Sequence, residues 1–254
     1  MSIERSFSVG PRVRIEAATT SGEIVVTEGP PGRVDLAVDG RTDNFTVEQM
    51  GDLIVAKPER SSWVQIFSVD ITLVVPPDAN LALSCTSGDV VVDTHVEEIE
   101  AGTASGDVRI ASVGRIANIR TASGDIRVGS VGEHLSVTTA SGTVRIGDAM
   151  RDAIITTASG DVYVDSIGER AEMKTASGDV DVRRLIGGEL FVRTLSGDLR
   201  VGIPPSRLLD FDLQTMSGEL RNRLEKRDDG AEPERTVRLQ LKTVSGDVTL
   251  QNAR

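Results

Sequence analysis

The chain is poor in the residues that usually anchor a compact core. Its 254 residues include one Trp, one Tyr and five Phe, so aromatics make up 3%. A core without rings must be filled by Val, Ile, Leu and Ala, which suits thin layers of β-structure. The lone Cys85 excludes an internal disulfide. The only imidazoles, His95 and His134, fall at turn regions and show no partner at metal-ligand spacing. No apolar run approaches the roughly 18 residues of a membrane-spanning helix. The first ten residues lack an apolar targeting core and a small-residue cleavage site, so the chain as given is expected in the cytoplasm, with export left open should a signal precede it. Positive charge is also in deficit: 28 Lys and Arg against 39 Asp and Glu leave a net −11. Such a surface repels phosphate backbones and anionic membranes, so neither nucleic acid nor direct membrane insertion is expected. Nucleophile elbows, phosphate-binding loops and dinucleotide fingerprints are missing too.

Glycine is abundant, and it is periodic. Ser-Gly pairs place Gly at 22, 88, 106, 124, 142, 160, 178, 197, 218 and 246, with a constant spacing of 18 from Gly88 to Gly178. The spacing then widens to 19, 21 and 28. Two residues after each glycine stands an aliphatic residue, as in Val108, Ile126, Val144 and Val162. Four residues after it the pattern repeats, with Asn222 the polar exception, and the residue between is mostly polar. This in-out-in alternation is a strand with one buried face. Leu135 with Val137, or Ile116 with Ile119, supply a second strand per period, after a second turn carrying Gly114, Gly132 or Gly168.

A unit of two short strands and two turns cannot bury its own apolar stripe, so it must stack on copies of itself. The expected fold is all-β, a single-chain β-solenoid with coils of about 18 residues. Residues 1–82 read as a less regular N-terminal β region, with wider coils or a cap continuous with the solenoid. Its strands fall at Val13–Ala17, Glu23–Val26, Arg33–Val38, Asp52–Val55 and Asp70–Val75. Residues 83–254 read as the regular solenoid, with a polar loop near 222–236 and an uncapped last coil near Val248-Thr249-Leu250.

The unit Thr121-Ala122-Ser123-Gly124-Asp125-Ile126-Arg127-Val128, together with the upstream Ile71-Thr72-Leu73-Val74-Val75-Pro76, resembles the bacterial DUF4097 group, labelled "putative adhesins". The resemblance spans nearly the whole chain. It implies a β-helical repeat fold and an adhesin-like or envelope-stress-related role, and it brings no catalytic residues.

Asp follows most of the glycines: Asp89, Asp107, Asp125, Asp161, Asp179, Asp198 and Asp247, with Glu23 and Glu219 in the same place. Calcium β-rolls have coils of similar length, but that ion needs about six to eight oxygens, and one Gly-Asp per coil does not supply them. A surface lattice explains the column better, pairing Asp107 with Arg109, Asp125 with Arg127, Asp198 with Arg200 and Glu219 with Arg221. Compensation lapses at Asp161, Tyr163, Asp179 and Asp181, which form the candidate patch for a cation or polar ligand. Three residues before the glycines runs a threonine column, in which Cys85 takes one place as a structural substitute. No catalytic residue, cofactor or metal is assigned. The expected function is a non-catalytic scaffold that binds a protein partner or a copy of itself. A carbohydrate-active β-helix is the third alternative, and it requires a deep acidic cleft.

Overall fold

The computed structural model describes residues 2–59, 68–204, 207–224 and 235–253, and among them every regular element is a strand. Two compact units divide the chain, Met1–Val128 and Gly129–Arg254.

In the first unit the strands are β1 (Ser2–Ser8), β2 (Arg14–Ser21), β3 (Ile24–Glu28), β4 (Arg33–Gly40), β5 (Phe45–Met50) and β6 (Leu53–Pro58). They continue as β7 (Val69–Val75), β8 (Asn80–Ser87), β9 (Val90–Ser105), β10 (Val108–Ser123) and the start of β11 (Ile126–Val131). Parallel ladders join equivalent strands of successive coils: β2 to β8, β8 to the second half of β9, and that half to β10. On the other face β3 pairs with the first half of β9, which pairs with β10. The stack is closed by antiparallel strands, β5 on β6 and β1–β4 on β7. The two strands the residue pattern fails to announce, β1 and β5, are these outermost ones. They are largely exposed, so no alternating apolar face is demanded of them.

The second unit holds β12 (His134–Ser141), β13 (Val144–Ala149), β14 (Asp152–Ser159), β15 (Val162–Ile167), β16 (Arg170–Ser177) and β17 (Val180–Val182). Then come β18 (Gly188–Arg193), β19 (Leu199–Ile203), β20 (Arg207–Ser217), β21 (Leu220–Arg223), β22 (Arg235–Ser245) and β23 (Val248–Asn252). One face runs β12–β14–β16–β18–β22–β20, all parallel. The other runs β13–β15–β17–β19–β23–β21.

The coils are therefore not stacked in chain order throughout. The β2–β3 coil lies between β6–β7 and β8–β9, and the β22–β23 coil lies between β18–β19 and β20–β21. This corrects the expectation of an open coil at Val248-Thr249-Leu250. Val248 sits between Leu199 and Leu220 in the ladder and is fully buried. The terminal coil is β20–β21. The expected polar loop near 222–236 lies mainly outside the described residues; its described flanks, Leu220–Arg223 and Arg235–Ser245, are strand.

The interior is the aliphatic column anticipated from the repeat. Ile24, Val90, Val108 and Ile126 in one unit, and Val144, Val162, Val180, Leu199 and Val248 in the other, are each at most 1% exposed. One assignment is corrected: Ala117 faces inward with Ile119, whereas Ile116 lies at the edge of the core. The reason is a shift of register between Val113 and Ile116, where β10 carries an extra residue relative to β9. The inward pair then sets Ala117 against Ile99 and Ile119 against Ala101, a large residue against a small one in both rows.

Candidate functional site

The Ser-Gly-Asp corner is built for stacking. Gly106 and Gly160 have φ of 152° and 151°, and a Cβ on either would lie 2.1 and 2.0 Å from the carbonyl oxygen of the preceding coil's glycine. Backbone conformation and close approach thus both demand glycine. The aspartate that follows has a task beyond the charge lattice. Asp89 Oδ1 accepts the Asp107 N–H at 2.8 Å, and Asp107 Oδ1 accepts that of Asp125 at 2.8 Å. Asp161, Asp179, Asp198 and Asp247 likewise serve the N–H groups of Asp179, Asp198, Asp247 and Glu219. Even the β6–β7 coil, which has no Ser-Gly, supplies Asp70 to the Glu23 N–H at 2.9 Å. Each carboxylate satisfies a donor of the next corner, a charge-assisted bond that holds coil to coil. Asp247 is held below the ordinary carboxylate range, first by the Glu219 N–H and then by Arg221.

Three of the four expected acid–base pairs form: Arg127 with Asp125 at 3.0 Å, Arg200 with Asp198 at 3.1 Å, and Arg221 with Glu219 at 2.6 Å. Asp107 is met instead by Arg127 of the next coil, at 3.8 Å. The threonine column points inward. Thr103, Thr215 and Thr243 donate to glycine carbonyls of neighbouring coils, and the Cys85 thiol does the same toward Gly22 at 3.3 Å. Burial pushes the Cys85 thiol pKa up, consistent with a structural thiol. An inward threonine column cannot order surface water as an ice-binding face would.

The candidate patch assembles on the outer surface of β15 and β17. Tyr163 is the ladder neighbour of Asp181, and its hydroxyl donates to Asp161 Oδ2 at 3.3 Å. The Arg145 guanidinium lies 5.4 Å from the ring centre. Partial burial, then the Asp161 charge, raise the Tyr163 pKa. Asp161 and Asp179 each spend one oxygen on the corner ladder.

A different surface emerges that the repeat alignment passes over. In the corner motif Thr-x-Ser-Gly, the x position is Ala at 104, 122, 140, 158 and 176, but Leu195, Met216 and Val244 later. These three stand in successive coils of the stack, as the bridges Ser196 to Ser245 and Ser245 to Ser217 require. They are 61%, 85% and 43% exposed. The stripe runs onto the terminal coil, whose inward residues Phe211 and Leu220 are 47% and 52% exposed although their ladder partners Leu239 and Val248 are buried. No described coil covers them. The signal was in the sequence, as a change from Ala to bulky apolar residues at one register position.

A second juxtaposition overturns the reading of His95 as lacking neighbours at ligand spacing. The fold brings Asp78 and Glu97 to it, with ligand atoms of all three within 4.8 Å of one another.

Parallel two-faced coils, glycine corners and a carboxylate ladder define a β-solenoid repeat protein. The Toastrack DUF4097 family model matches residues 12–251, and the chain belongs to that family. No curated protein matches it. Among solved structures it is similar to a "putative adhesin" from Parabacteroides merdae, with 10% identity and a TM-score of 0.51, covering 98% of this chain and 95% of that one. It is also similar to a "putative adhesin" from Bacteroides fragilis, with 15% identity, a TM-score of 0.47 and coverage of 98% and 97%. A third is a "putative lipid binding protein" from Parabacteroides distasonis, with 13% identity, a TM-score of 0.47 and coverage of 98% and 96%. At these identities the likeness concerns the fold.

Proposed function

We propose that this protein is a non-catalytic binding scaffold that self-associates through its terminal coil, β20–β21 docking on the same coil of a second copy. The carrying observation is the uncovered end of the core: Phe211 and Leu220 exposed, with Leu195, Val244 and Met216 beside them. Contiguous apolar surface of this kind marks interaction sites. Edge strands also present backbone donors and acceptors that another strand can complete.

A second copy suits this end by charge. The β20 strand carries Asp210 and Asp212, and β21 carries Arg221 and Arg223. A two-fold axis along the strands would set β20 of one copy beside β21 of the other, acid against base, and close the interface after two copies. The adhesin names of structural neighbours belong to the same broad class of binding proteins.

The test is the mass in solution across a dilution series, by light scattering or sedimentation. The native chain is expected to be dimeric at high concentration, and a Phe211→Asp, Leu220→Asp double variant monomeric with an unchanged β-sheet circular dichroism spectrum. A native monomer at every concentration, or a dimer that survives the double variant, overturns the proposal.

A further inference from the structure

We infer that Asp78, His95 and Glu97 form a binding site for a divalent cation of the zinc class. Asp78 lies in the Pro76–Ala79 turn between β7 and β8, the only described non-glycine residue with positive φ, 64°. The turn is tied to β9 by the Glu97 N–H, which donates to the Ala79 carbonyl at 3.0 Å. His95 and Glu97 alternate along β9 on its outer side, and Asp78 Oδ1 stands 3.6 Å from His95 Nε2. Tetrahedral zinc, with bonds of about 2.1 Å, separates its ligand atoms by roughly 3.4 Å. A small adjustment brings these groups to that spacing.

Two observations outside the trio point to a ligand. The Ser112 hydroxyl, on the neighbouring coil, lies 2.8 Å from His95 Nδ1. With Nδ1–H donating to it, the Nε2 lone pair is directed at Asp78, the second-shell arrangement that fixes a metal-binding imidazole. Gly114 faces the trio from β10. A Cβ there would lie 2.7 Å from Glu97 Oε2 and 3.3 Å from His95 Nε2, so the missing side chain leaves both ligand atoms open. This differs from Gly168, where a Cβ would strike backbone, the Met150 carbonyl at 2.0 Å. Arg115 lies 3.8 Å from Glu97 Oε1 and 3.0 Å from Glu98 Oε1.

One imidazole and two carboxylates favour zinc or cobalt over calcium, which takes oxygen ligands alone. Three protein ligands leave at least one position for water. A bound ion would fasten the β7–β8 turn to β9.

The experiment titrates the full chain with Zn2+ and with Ca2+ by calorimetry, and follows both histidine rings by NMR as Co2+ is added. One Zn2+ per chain is expected, with little heat from Ca2+ and with Co2+ broadening the His95 ring but not that of His134. His95→Gln should abolish the zinc heat, and Ser112→Ala should weaken it by about tenfold. Equal broadening of both rings, zinc heat that persists in His95→Gln, or no heat from the native chain would each overturn the site. Circular dichroism confirms that the variants are folded.

Discussion

Within each unit, some coils stack in the order the chain makes them and others do not. From β8 to β10, and from β12 to β19, each coil lies on its predecessor with the 18- or 19-residue spacing of the motif. In the remaining coils the chain skips a place and returns: β6–β7 goes outside β2–β3, and β20–β21 goes outside β22–β23. The in-sequence coils hide every inward side chain, whereas the coil left outermost in the second unit exposes Phe211 and Leu220. The corner chemistry is the same in both classes: Gly218 and Gly246 have φ of 148° and 141°, as in the regular coils. A parallel ladder asks only for an in-out strand and a glycine corner, so any such coil fits any vacancy.

The largest effect expected from this comparison concerns glycine. Gly160→Ala places a methyl 2.0 Å from the Gly142 carbonyl at a φ of 151°, with coils on both sides. It should destabilise the protein by about 4 kcal/mol or more, in the range of severe core disruption. Gly218→Ala meets the Gly246 carbonyl at 2.1 Å, but its coil can retreat outward. Chemical denaturation should show less than half the loss. Gly51→Ala, with φ 64° and nothing within 4 Å, pays only the backbone term of about 1 kcal/mol. Equal losses at Gly160 and Gly218 would mean that the terminal coil is as firmly held as the interior ones.

The aliphatic column and the corners were legible because each recurs at a fixed interval. Val108, Ile126, Val144 and Val162 are buried as their alternation requires. Asn222, the polar exception at an inward position, belongs to the outermost coil, where no buried partner is demanded. The permuted order was not legible, since Val248 and Leu220 look alike to a ladder. The Asp78–His95–Glu97 cluster was hidden for another reason: His95 and Glu97 stand two apart on β9, but Asp78 comes from the turn between β7 and β8, which no repeat interval marks. Asp161, Tyr163, Asp179 and Asp181 were visible as a lapse in a column, and the fold does set them side by side.

The carboxylate ladder gives an intermediate effect. Asp179→Ala removes the acceptor of the Asp198 N–H, held at 2.8 Å between two interior coils, and should cost about 2 kcal/mol by denaturation. Asp179→Asn keeps an oxygen acceptor and should cost less. At the outer coil, Asp247 accepts from Glu219 with a depressed pKa. A depressed carboxylate pKa contributes stability that is present above the unfolded value, about 3.9, and lost as pH falls through the native one. Hydrogen exchange should therefore find the Glu219 amide protected at pH 5 and released in stronger acid. In Asp247→Ala it should be unprotected at both. Protection independent of pH and of Asp247 would break the ladder reading.

The smallest effect separates two kinds of site within the threonine column. Thr157 and Thr175, in coils stacked in chain order, bury hydroxyl oxygens that have no hydrogen-bond partner. Thr121 and Thr139, also in coils stacked in chain order, donate to the Ser123 and Ser141 carbonyls at 3.1 and 2.9 Å, as Thr194 and Thr243 do to the Ser196 and Ser245 carbonyls, both at 3.1 Å. Valine has nearly the shape of threonine and lacks the hydroxyl, so the exchange isolates that one group. At Thr175 it removes an unsatisfied polar atom from the interior and should stabilise by up to about 1 kcal/mol. At Thr194 it deletes a bond that is made and should destabilise by a similar amount, about 1 kcal/mol. The two variants should thus move the thermal midpoint in opposite directions. Shifts of the same sign would show that the hydroxyls play one role throughout the column.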